Sequence, residues 1–499
     1  MNEHLKPKTL REVRAALRRG ANVVPLVLSL PADTTTPVAA FLALRGKAPG
    51  FLLESVEGGE RYARYSFLGA EPFETLTVSG GVLRVRRGKS ERTVAGCPFD
   101  ALGRELARYR ALPEPGLPPF TGGAVGHLSY ETIARLEPST GLTPPEDEPE
   151  VRMRIFADVA AFDRLRQRLV LCANVVVEPG VTVEASYRRA ERALSRMQAR
   201  LQRSAAAPKS AAGEPARLAL TARLGPKKFM AGVRALKRSI LDGDIFQAVL
   251  SERFETPLRA SAFDVYRRLR ALNPSPYLFF IGSEDDALLG ASPEMLVRVA
   301  GGEIETRPIA GTRPRGGDEE SDKRFERDLL ASAKERAEHL MLVDLGRNDV
   351  GRVAAAGSVR VPSFMKVERY SHVMHLVSSV RGRLARGKTA WDVFGACFPA
   401  GTVTGAPKLR AIQLLSKIER APRGFYAGAV VYRDFQGNLD SAIAIRSMAI
   451  RGSGAKRRAI VQAGAGIVAD SRPEAELAEV RAKARAALEA LRAAEERRL

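Results

Sequence analysis

The sequence from Thr75 to Val85 is TLTVSGGVLRV, in which two short runs of alternating apolar and polar residues flank Gly80 and Gly81. Alternation with a period of two predicts strands, and a glycine pair between two such runs predicts a tight β-hairpin. A hairpin joins antiparallel strands, and few other stretches have the strand–helix–strand spacing of a doubly wound fold. We therefore predict an α+β fold with large, mostly antiparallel sheets flanked by helices.

The apolar run from Val23 to Leu30 predicts a buried strand. A basic N-terminus precedes it, so a short secretory signal is the alternative. Pro25 interrupts the run and the acidic Glu3 and Glu12 precede it, which favours the strand. No apolar run reaches the ~18 residues of a membrane-spanning helix, and we expect none.

Two segments have the apolar spacing of amphipathic helices. The first opens at Pro226 and ends at Asp242-Gly243. The second is a last helix that starts at Ser471-Arg472-Pro473-Glu474, a capping-box pattern with proline in the first turn. The two predicted buried stripes are Phe229, Met230, Val233, Leu236 and Ile240, and Leu477, Val480, Ala484 and Leu488.

Length and composition indicate a globular chain with more than one unit. It has 499 residues, of which 45% are apolar and 27% charged, and this excludes disorder and a coiled-coil rod. Residues 204–215 (SAAAPKSAAGEP) are mostly small, with prolines and isolated charges, which is typical of a linker or exposed loop. We predict an N-terminal lobe at 1–203, this linker, and a catalytic region at 216–499.

The net charge is strongly positive, with 79 Lys and Arg against 57 Asp and Glu, or +22. Such a balance suggests nucleic acid, an anionic surface or an anionic substrate. Basic residues occur in short groups, such as Arg86-Arg87, with acidic residues interleaved, and aromatic residues make up only 6%. A nucleic-acid-binding protein is therefore the distant alternative. The three cysteines, Cys97, Cys172 and Cys397, form no CxxC pair and are typical of a reducing cytoplasm, without disulfides or a zinc cluster.

Two pairs of glutamates have the spacing that places both carboxylates on one helix face. Glu335 and Glu338 form the first pair, and Glu476 and Glu479 form the second. If the two helices face each other, four carboxylates converge, and Mg²⁺ needs only one or two of them directly because it keeps several waters. The alternative is two solvated helix faces, since charge at this spacing is ordinary.

Three small motifs could bind an anion. Gly401 to Lys408 (GTVTGAPK) offers hydroxyls and a lysine but lacks the P-loop pattern, and a turn that begins a helix is the alternative. The Gly464-Ala465-Gly466 turn would let backbone N–H groups approach a carboxylate, although a tight turn between packed elements explains it equally well. Arg446 ends an apolar run and could hold a carboxylate with two hydrogen bonds, or could be an ordinary surface residue.

Histidine is scarce, with five in the chain, and three of them are His339, His372 and His375. His372 and His375 lie in a strand-like run where they would face opposite ways, so one could serve as an acid or base in a cleft. A hydrogen-bonded core histidine is the default. The motifs GxSxG, HExxH and strand-borne GxGxxG do not occur, which removes sequence support for those mechanisms.

Taken together, these motifs resemble the chorismate-utilising enzyme family over residues from about 50 to 485, and within it the ammonia-using members that form anthranilate. The resemblance implies a large α/β sandwich of mostly antiparallel sheets, with the active site in the cleft between the sheets. The matching segments are Leu52–Ser55, Asn273–Tyr277, Gly290–Glu294, Pro308–Thr312, Glu338–Asp349, Gly401–Lys408 and Gln462–Gly466.

The resemblance also assigns roles to residues. Four glutamates would hold Mg²⁺, so that the metal neutralises the ring carboxylate of chorismate. Glu294 would protonate the departing 4-hydroxyl, and His375 would assist proton transfer in the second step. The metal ligands would be Glu338 and Glu479, bound directly, and Glu335 and Glu476, acting through metal-bound water. The substrate site would comprise Gly311, Thr312, Tyr426, Arg446, Gly464, Ala465 and Gly466, with Thr402 and Lys408 in the same wall.

Two positions discriminate between reactions within the family. Where members that add water carry a lysine as base, this chain has Gln247, so isochorismate or salicylate formation is disfavoured. Where aminodeoxychorismate synthases typically carry a nucleophilic lysine, this chain has Ala310. The implied reaction is attack of ammonia on C2, loss of the 4-hydroxyl and elimination of pyruvate to give anthranilate, the first step of tryptophan biosynthesis. The other activities of the family are the alternatives.

The resemblance implies a partner and an inhibitor. None of the three cysteines lies in the glycine-rich elbow of a glutaminase, so a separate glutamine amidotransferase subunit would supply ammonia in a hetero-oligomer. L-tryptophan would inhibit at a site in the N-terminal lobe, through a serine hydroxyl, exposed backbone groups and apolar walls. The residues of this site would be Glu54, Ser55, Asn273, Pro274, Ser275, Pro276, Tyr277 and Tyr432.

Overall fold

The computed structural model describes residues 7–55, 64–145, 148–203, 218–370 and 373–496. The linker predicted at 204–215 and His372 lie outside these residues. Within them, no helix has both the length and the apolar character needed to cross a membrane.

Most of the helices begin after a Ser, Thr or Asp side chain that accepts a hydrogen bond from the first turn. Such a cap satisfies a backbone N–H that has no partner inside the helix. The α-helices are α1 (Leu10–Arg18), α2 (Pro37–Arg45), α3 (Pro98–Ala107), α4 (Ile133–Leu136), α5 (Val183–Gln202), α6 (Gly225–Leu241), α7 (Ala262–Leu272), α8 (Glu319–Ala331), α9 (Ala333–Gly351), α10 (Ala390–Cys397), α11 (Lys408–Glu419) and α12 (Pro473–Glu495). Short 3₁₀ turns span Tyr130–Thr132, Pro138–Thr140, Gly401–Val403 and Gly454–Lys456.

The strands are short, and most alternate with turns rather than with helices. They are β1 (Val23–Pro31), β2 (Gly50–Glu54), β3 (Tyr65–Ala70), β4 (Glu74–Ser79), β5 (Val82–Arg87), β6 (Ser90–Val94), β7 (Gly123–Leu128), β8 (Val151–Phe156), β9 (Asp158–Asp163), β10 (Arg168–Val176), β11 (Thr221–Ala222) and β12 (Gln247–Pro257). The second half has β13 (Tyr277–Gly282), β14 (Asp286–Ser292), β15 (Met295–Ala300), β16 (Glu303–Thr306), β17 (Ile309–Pro314), β18 (Arg360–Arg369), β19 (Val373–Arg383), β20 (Gly405–Ala406), β21 (Ala429–Asp434), β22 (Leu439–Ile443), β23 (Ser447–Arg451) and β24 (Arg458–Ile467).

These strands form two sheets of twelve strands each, here called sheet A and sheet B. The order in sheet A is β1-β10-β9-β3-β2-β13-β14-β23-β24-β12-β11, with β20 beside β12. The order in sheet B is β17-β19-β16-β15-β22-β21-β7-β8-β4-β5-β6, with β18 beside β19. Neighbouring strands run antiparallel throughout the described pairings. The predicted α+β fold with large antiparallel sheets is confirmed.

The hairpin that the sequence predicts is also confirmed. β4 and β5 pair with each other, and Gly80 and Gly81 form the turn with φ of 57° and 75°. Both angles are positive, as a two-residue turn that matches the strand twist requires, and glycine adopts them without a Cβ clash. The buried strand predicted from Val23 to Leu30 is β1, which pairs with β10 along its whole length.

The main core lies between the two sheets. It contains inward side chains of both, and Phe51 of sheet A meets Phe156 of sheet B edge to face at 4.7 Å between ring centroids. A second core lies between sheet A and the helices α1, α2, α5, α6, α7 and α12. The helices α9 and α10 pack against sheet B. The result is a four-layer sandwich of helices, two sheets and helices.

The two predicted amphipathic helices are α6 and α12, and each buries most of its predicted stripe. The capping box predicted at Ser471 is wrong. α12 begins after Arg472, and no side chain caps its first turn. The Ser471 hydroxyl instead accepts a hydrogen bond from the N–H of Val468 (3.1 Å), so it fixes the preceding turn.

Strands from the two sides of the predicted linker pair with each other. β2 pairs with β13 in sheet A, and β7 pairs with β21 in sheet B. Residues 7–203 and 218–496 therefore contribute to the same sheets and to the same main core, and one site can draw side chains from both.

Candidate active site

A cavity of about 520 Å³, here called the central cavity, lies where β12, β24, α9 and α12 meet. Its volume is in the range of small-molecule sites. β12 and β24 are neighbours in sheet A, although about 200 residues separate them in the sequence, and α12 packs on β24. The predicted site residues that line this cavity are Gln247, Glu294, Glu338, Thr402, Tyr426, Arg446, Gly464, Gly466, Glu476 and Glu479.

Three of the four predicted metal ligands line the central cavity. Glu338 comes from α9, and Glu476 and Glu479 come from the first two turns of α12. Glu335 lies outside this lining, where its carboxylate accepts a hydrogen bond from Arg313 (Nη1–Oε1 3.2 Å). Burial raises the pKa of Glu338, and the charges of Glu335 and Glu479 raise it further. The carboxylates therefore repel one another across the cavity.

These carboxylates are chemically suited to bind Mg²⁺, because carboxylate oxygens are its usual protein ligands. A bound cation would also relieve the repulsion between the carboxylates. Among the described residues, no three Asp, Glu, His or Cys side chains lie close enough together to hold a metal ion. In this structure Lys483 Nζ lies 2.7 Å from Glu479 Oε1, so an internal ammonium group partly neutralises the acidic cluster. Since Mg²⁺ keeps several waters, one carboxylate from each helix is sufficient to hold it.

Glu294 is the carboxyl group in this cavity that is best suited to donate a proton. Burial raises the pKa of Glu294 to about 7, so a protonated fraction persists near neutral pH. A hydrogen bond from the neighbouring Thr402 side chain partly offsets this rise in pKa, because it stabilises the carboxylate form of Glu294. Thr402 also lines the central cavity, so the two residues present a carboxyl group and a hydroxyl group together.

The predicted Gly464–Gly466 turn is not a turn, because all three residues lie within β24. Alternation along the strand places Ala465 on the opposite face, where it is fully buried outside the central cavity. The two glycines are needed for close approach instead. A Cβ at Gly464 would lie 2.5 Å from Tyr426 Oη, and one at Gly466 would lie 2.8 Å from Gln247 Nε2. Because these glycines have no Cβ, the Tyr426 phenol and the Gln247 amide can lie against β24 and form the cavity wall.

The lining includes cations that the sequence reasoning missed. Lys334 precedes Glu335 on α9, and Arg472 and Lys483 come from the start and the third turn of α12. Lys483 Nζ donates a hydrogen bond to the Gly464 carbonyl (3.0 Å) in addition to its ion pair on α12. The i,i+4 spacing from Glu479 to Lys483 was the available signal, since it places both on one helix face.

Arg446 is the predicted cation that the structure places in the central cavity. Its φ is 51°, a left-handed conformation that residues other than glycine rarely adopt, and such strain is concentrated at functional sites. Burial lowers the pKa of Arg446, which remains a cation because free arginine titrates far above neutral pH. The guanidinium can therefore pair with a substrate carboxylate.

Gly311, Thr312 and His375 form a cluster beside α9 rather than in the cavity lining. The β17–β19 register shifts between Ala310 and Thr312, so Gly311 is the extra residue of a β-bulge, with φ of 66°. His375 Nδ1 lies 2.9 Å from the Gly311 carbonyl and 3.1 Å from Thr312 Oγ1. Because a carbonyl only accepts, this contact places the proton on Nδ1 and the basic lone pair on Nε2. A Cβ at Gly311 would lie 3.0 Å from Glu335 Oε2, so the bulge brings this cluster against α9.

Two further predicted residues lie outside the central cavity. Lys408 begins α11 and its Nζ lies 3.2 Å from Asp349 Oδ2, in a separate surface groove. The motif from Gly401 to Lys408 is thus divided, because only Thr402 and Val403 line the central cavity. His339 is fully buried, and its Nε2 lies 2.6 Å from Ser378 Oγ. Burial lowers the pKa of His339 to about 4, as for a neutral core histidine.

The profile of the chorismate binding enzymes matches residues 49–489. The chain belongs to the chorismate-binding enzyme family. An enzyme of this family acts on chorismate, and the cations described above suit such an anionic substrate.

Several chorismate-binding enzymes resemble this one along nearly their whole length. Anthranilate synthase component 1 of Aquifex aeolicus is 43% identical, with 98% of each chain covered. The protein of the same name from Acetivibrio thermocellus is 40% identical over 98% of this chain and 99% of its own. That from Streptomyces coelicolor is 44% identical over 97% of this chain and 92% of its own.

Solved structures show the same fold. Anthranilate synthase component I from Streptococcus pneumoniae TIGR4 superimposes with a TM-score of 0.75 and 36% identity, covering 92% of this chain and 98% of that chain. MenF, the menaquinone-specific isochorismate synthase from Escherichia coli, superimposes with a TM-score of 0.70 over 97% of this chain and 98% of its own. Its identity is only 18%, so this likeness concerns the fold alone.

This chorismate-binding enzyme has a second, smaller cavity of about 110 Å³, here called the lobe cavity. The pairing of β2 with β13 brings the Glu54 end of β2 next to the start of β13, although more than 200 residues lie between them. The predicted effector residues that line the lobe cavity are Glu54, Ser55, Pro276, Tyr277 and Tyr432. Asn273, Pro274 and Ser275 lie in the turn before β13 and are not part of the lining.

The carboxylate of Glu54 is already paired within the protein. It accepts hydrogen bonds from Tyr266 Oη (2.8 Å) and Arg270 Nε (2.7 Å), so it fixes the cavity wall rather than presenting a free charge. The sequence reasoning missed Asp440, which also lines the lobe cavity. Asp440 accepts a hydrogen bond from Tyr277 Oη (3.2 Å), and burial raises its pKa to about 6.

A thin wall separates the two cavities. Pro293 and Ile309 line both of them. Glu294 directly follows Pro293, and the Gly311 bulge lies two residues after Ile309. A ligand that moved this wall would therefore move groups of the central cavity.

Proposed function

We propose that this enzyme is an anthranilate synthase component I, a lyase that aminates chorismate at C2 with ammonia and then eliminates pyruvate. This reaction is the first step of tryptophan biosynthesis. The relatives that are 40–44% identical over nearly their full length carry that name. The observation that carries the proposal is the Gln247 amide in the wall of the central cavity. A neutral amide takes up no proton and cannot activate water, which disfavours isochorismate and salicylate formation.

Ala310 supports amination at C2 rather than at C4. It is 8% exposed on β17, one residue before the bulge. A methyl side chain offers no nucleophile, so a route through a covalent bond between the protein and the substrate ring is disfavoured. Direct attack by ammonia on the ring is the remaining route.

Substrate binding is proposed to depend on charge. Arg446, Lys483 and Tyr426 all line the central cavity, and Arg446 Nη1 lies 3.4 Å from the Lys483 carbonyl. These groups suit the two carboxylates of chorismate. Mg²⁺ held by Glu338 and Glu479 would neutralise the ring carboxylate and so favour attack on the ring.

In the amination step, a bond forms between ammonia and C2, the ring double bonds shift, and the bond between C4 and its hydroxyl breaks. The Glu294 proton is transferred to the departing hydroxyl, which leaves as water. The Gln247 amide holds the incoming ammonia by hydrogen bonding. In the second step C2 loses its proton, the enol ether bond breaks, and pyruvate leaves. His375, which lies beside α9 at the Gly311 bulge rather than in the cavity lining, is assigned to assist this proton transfer.

The isolated chain is expected to form fluorescent anthranilate from chorismate, Mg²⁺ and ammonium at alkaline pH, and to form none from glutamine alone. The product is identified by chromatography against authentic standards. Formation of isochorismate, salicylate or 4-amino-4-deoxychorismate as the main product would overturn the proposal. Binding of nucleic acid without chorismate turnover would return the distant alternative.

We propose that a separate glutamine amidotransferase subunit supplies the ammonia, in the cytoplasm. A glutaminase of the usual class needs a reactive thiolate beside a histidine. Burial raises the pKa of Cys172 and of Cys397 to about 12, which leaves both thiols unreactive. Cys97 is exposed at the start of α3, and no described hydrogen bond joins it to a histidine.

We propose that L-tryptophan inhibits the enzyme by binding in the lobe cavity. Tyr277 and Tyr432 provide aromatic walls, and Asp440 can pair with an amino group. Inhibition follows if tryptophan prefers one position of the shared wall at Pro293 and Ile309. Coupling of this kind is typically ~1–3 kcal/mol, or about 5–150-fold in affinity, and it is reciprocal.

The variant Ser55→Phe is expected to lose inhibition by tryptophan, because a large ring at Ser55 would fill the lobe cavity. Its ammonium-driven rate without tryptophan should equal that of the unmodified enzyme, since Ser55 does not line the central cavity. Titration of tryptophan, followed by activity and by binding heat, measures both quantities. Equal inhibition in the two proteins, or none in the unmodified enzyme, would remove this site.

A further inference from the structure

A small cavity of about 40 Å³, here called the connecting cavity, lies between the central cavity and the surface groove that holds Lys408. Glu294, Leu342 and Thr402 line both the central and the connecting cavity. Leu345 and Asp349 line both the connecting cavity and the groove. The three spaces therefore lie in a row, and two carboxyl groups, those of Glu294 and Asp349, form part of the walls between them.

One face of α9 borders all three spaces. Glu338 lines the central cavity, Leu342 and Leu345 line the connecting cavity, and Asp349 reaches the groove. These residues are spaced by three or four positions, so they lie along one side of the helix. The seven residues from Leu342 to Asp349 span ~10 Å of the helix axis. A single rigid helix therefore fixes how far Asp349 lies from the substrate site.

The connecting cavity is large and polar enough to hold water. A cavity needs only ~10–15 Å³ to hold one water molecule, provided that two or more polar groups surround it. The Arg307 guanidinium, one of these groups, is ion-paired with Glu368. The polar side chains of the lining are Glu294, Thr306, Arg307, Asp349, Cys397 and Thr402. Water in this cavity can therefore contact the carboxyl groups at both of its walls.

Asp349 is a buried titratable group to which the proposed reaction gives no role. It is 9% exposed, and its carboxylate accepts a hydrogen bond from Lys408 Nζ (3.2 Å). Burial raises the pKa of Asp349, whereas the charges of Lys408 and Arg352 lower it. Burial also keeps the neighbouring Cys397 thiol protonated, because it raises the pKa of that thiol to about 12. A carboxyl group whose pKa is raised exchanges protons more readily near neutral pH.

We infer that Asp349 passes protons from the surface groove to Glu294 through water in the connecting cavity. The inference rests on the proposed function. In each turnover Glu294 gives one proton to the departing hydroxyl, and ammonia loses one proton when it becomes the amino group. The overall reaction therefore consumes no proton, but Glu294 is left as a carboxylate and must be protonated again.

The position of the connecting cavity suits this task. Substrate that fills the central cavity excludes water from that side of Glu294. The connecting cavity reaches Glu294 from the other side, and Asp349 and Lys408 in the groove exchange protons with solvent. Asp349 is thus a positioning residue that acts through Glu294 and does not touch the substrate.

The first test compares Asp349→Asn with the unmodified enzyme and with Asp344→Asn, in the full chain with chorismate, Mg²⁺ and ammonium. Asp344 is an exposed carboxylate on the same helix and lines none of the three spaces. Loss of a general acid itself costs ~10²–10⁴-fold, and loss of its proton supply should cost less, about 10-fold in kcat. KM for chorismate should not change, because Asp349 does not line the central cavity. The ratio of kcat in H₂O to kcat in D₂O should rise, since proton delivery then limits the rate.

Two further variants separate proton delivery from a structural role. In Asp349→Ala, added imidazole should restore part of the rate, because it carries protons near neutral pH but cannot replace the carboxylate opposite Lys408. Gly346→Ala adds a methyl group that would lie 3.3 Å from Thr306 Cγ2, in the wall of the connecting cavity, and alanine favours the helix. It should lower kcat and raise the isotope ratio while Asp349 is intact.

The inference is overturned if Asp349→Asn keeps the kcat and the isotope ratio of the unmodified enzyme. It is also overturned if kcat falls with an unchanged isotope ratio and without rescue by imidazole, since Asp349 would then serve only the fold. Either result leaves the proposed function intact. If the unmodified chain makes no anthranilate from ammonium, the proposed function itself fails.

Discussion

Replacing Glu338 or Glu479 by glutamine is expected to remove Mg²⁺-dependent anthranilate formation. The amide keeps the shape of the side chain but removes the charge that a hard cation requires. Changing a residue that only orients a metal ligand typically lowers metal affinity or activity ~10–100-fold. Changing a direct ligand should therefore lower them by more than that. Mg²⁺ titration by calorimetry and by activity gives two independent measurements.

The matched control is Glu489→Gln, which removes an exposed carboxylate further along α12, outside the cavity lining. It should leave the Mg²⁺ titration unchanged. Because repulsion from Glu335 and Glu479 helps to raise the pKa of Glu338, protons should also compete with the metal, and Mg²⁺ affinity should fall as pH falls. Normal Mg²⁺ binding in either variant, Glu338→Gln or Glu479→Gln, would show that the replaced carboxylate is not a metal ligand but a solvated surface group.

The variant Glu294→Gln should lower kcat by ~10²–10⁴-fold, the usual cost of losing a general acid. Glutamine is nearly isosteric with glutamate, but its amide cannot donate an acidic proton to the departing hydroxyl. Binding of chorismate should change little, because the substrate carboxylates are assigned to other groups. Glu294→Asp keeps a carboxyl group and should recover part of the rate, whereas a merely structural role would make the shorter side chain no better than the amide.

The pH dependence gives a separate readout of Glu294. Burial raises the pKa of Glu294 to about 7, and the acid form is the reactive one, so the rate at constant free ammonia should fall as pH rises through about 7. The concentration of free ammonia must be held constant, because ammonia is the nucleophile and a fixed total of ammonium yields more of it as pH rises. The Glu294→Gln enzyme should not show this fall in rate with rising pH. If its pH profile is identical to that of the unmodified enzyme, another group causes the fall.

Local pattern was sufficient to predict the strands and their antiparallel class. The turn at Gly80-Gly81 needs positive φ and the flanking residues alternate, and both properties belong to neighbouring residues. The same holds for the glutamate pairs, because three residues on a helix return to the same face. The significance of Gln247 and Ala310 came from the resemblance to the motifs of the family, because hydrophobic periodicity carries no information about the role of a residue.

What the sequence alone could not decide was which of these groups share a cavity. Gly464 and Gly466 were predicted to form a turn, but the pairing of β24 with β12 makes them strand residues that admit Tyr426 and Gln247. Lys408 belongs to a motif that faces the cavity, yet the direction of α11 takes its ammonium group to Asp349. Contacts between distant segments depend on strand order and helix direction, which local spacing does not encode.

The sequence by itself determined the kinds of elements, the carboxylate pairs and the residue types at the two discriminating positions, because each follows from neighbouring residues or from a motif. Only the tertiary structure decided that α9 and α12 present their carboxylates to one cavity, that Lys483 pairs with Glu479, and that burial brings the pKa of Glu294 to about 7. The physical reason is that charge interactions and desolvation depend on distance and burial in space, and antiparallel pairing brings together residues hundreds of positions apart.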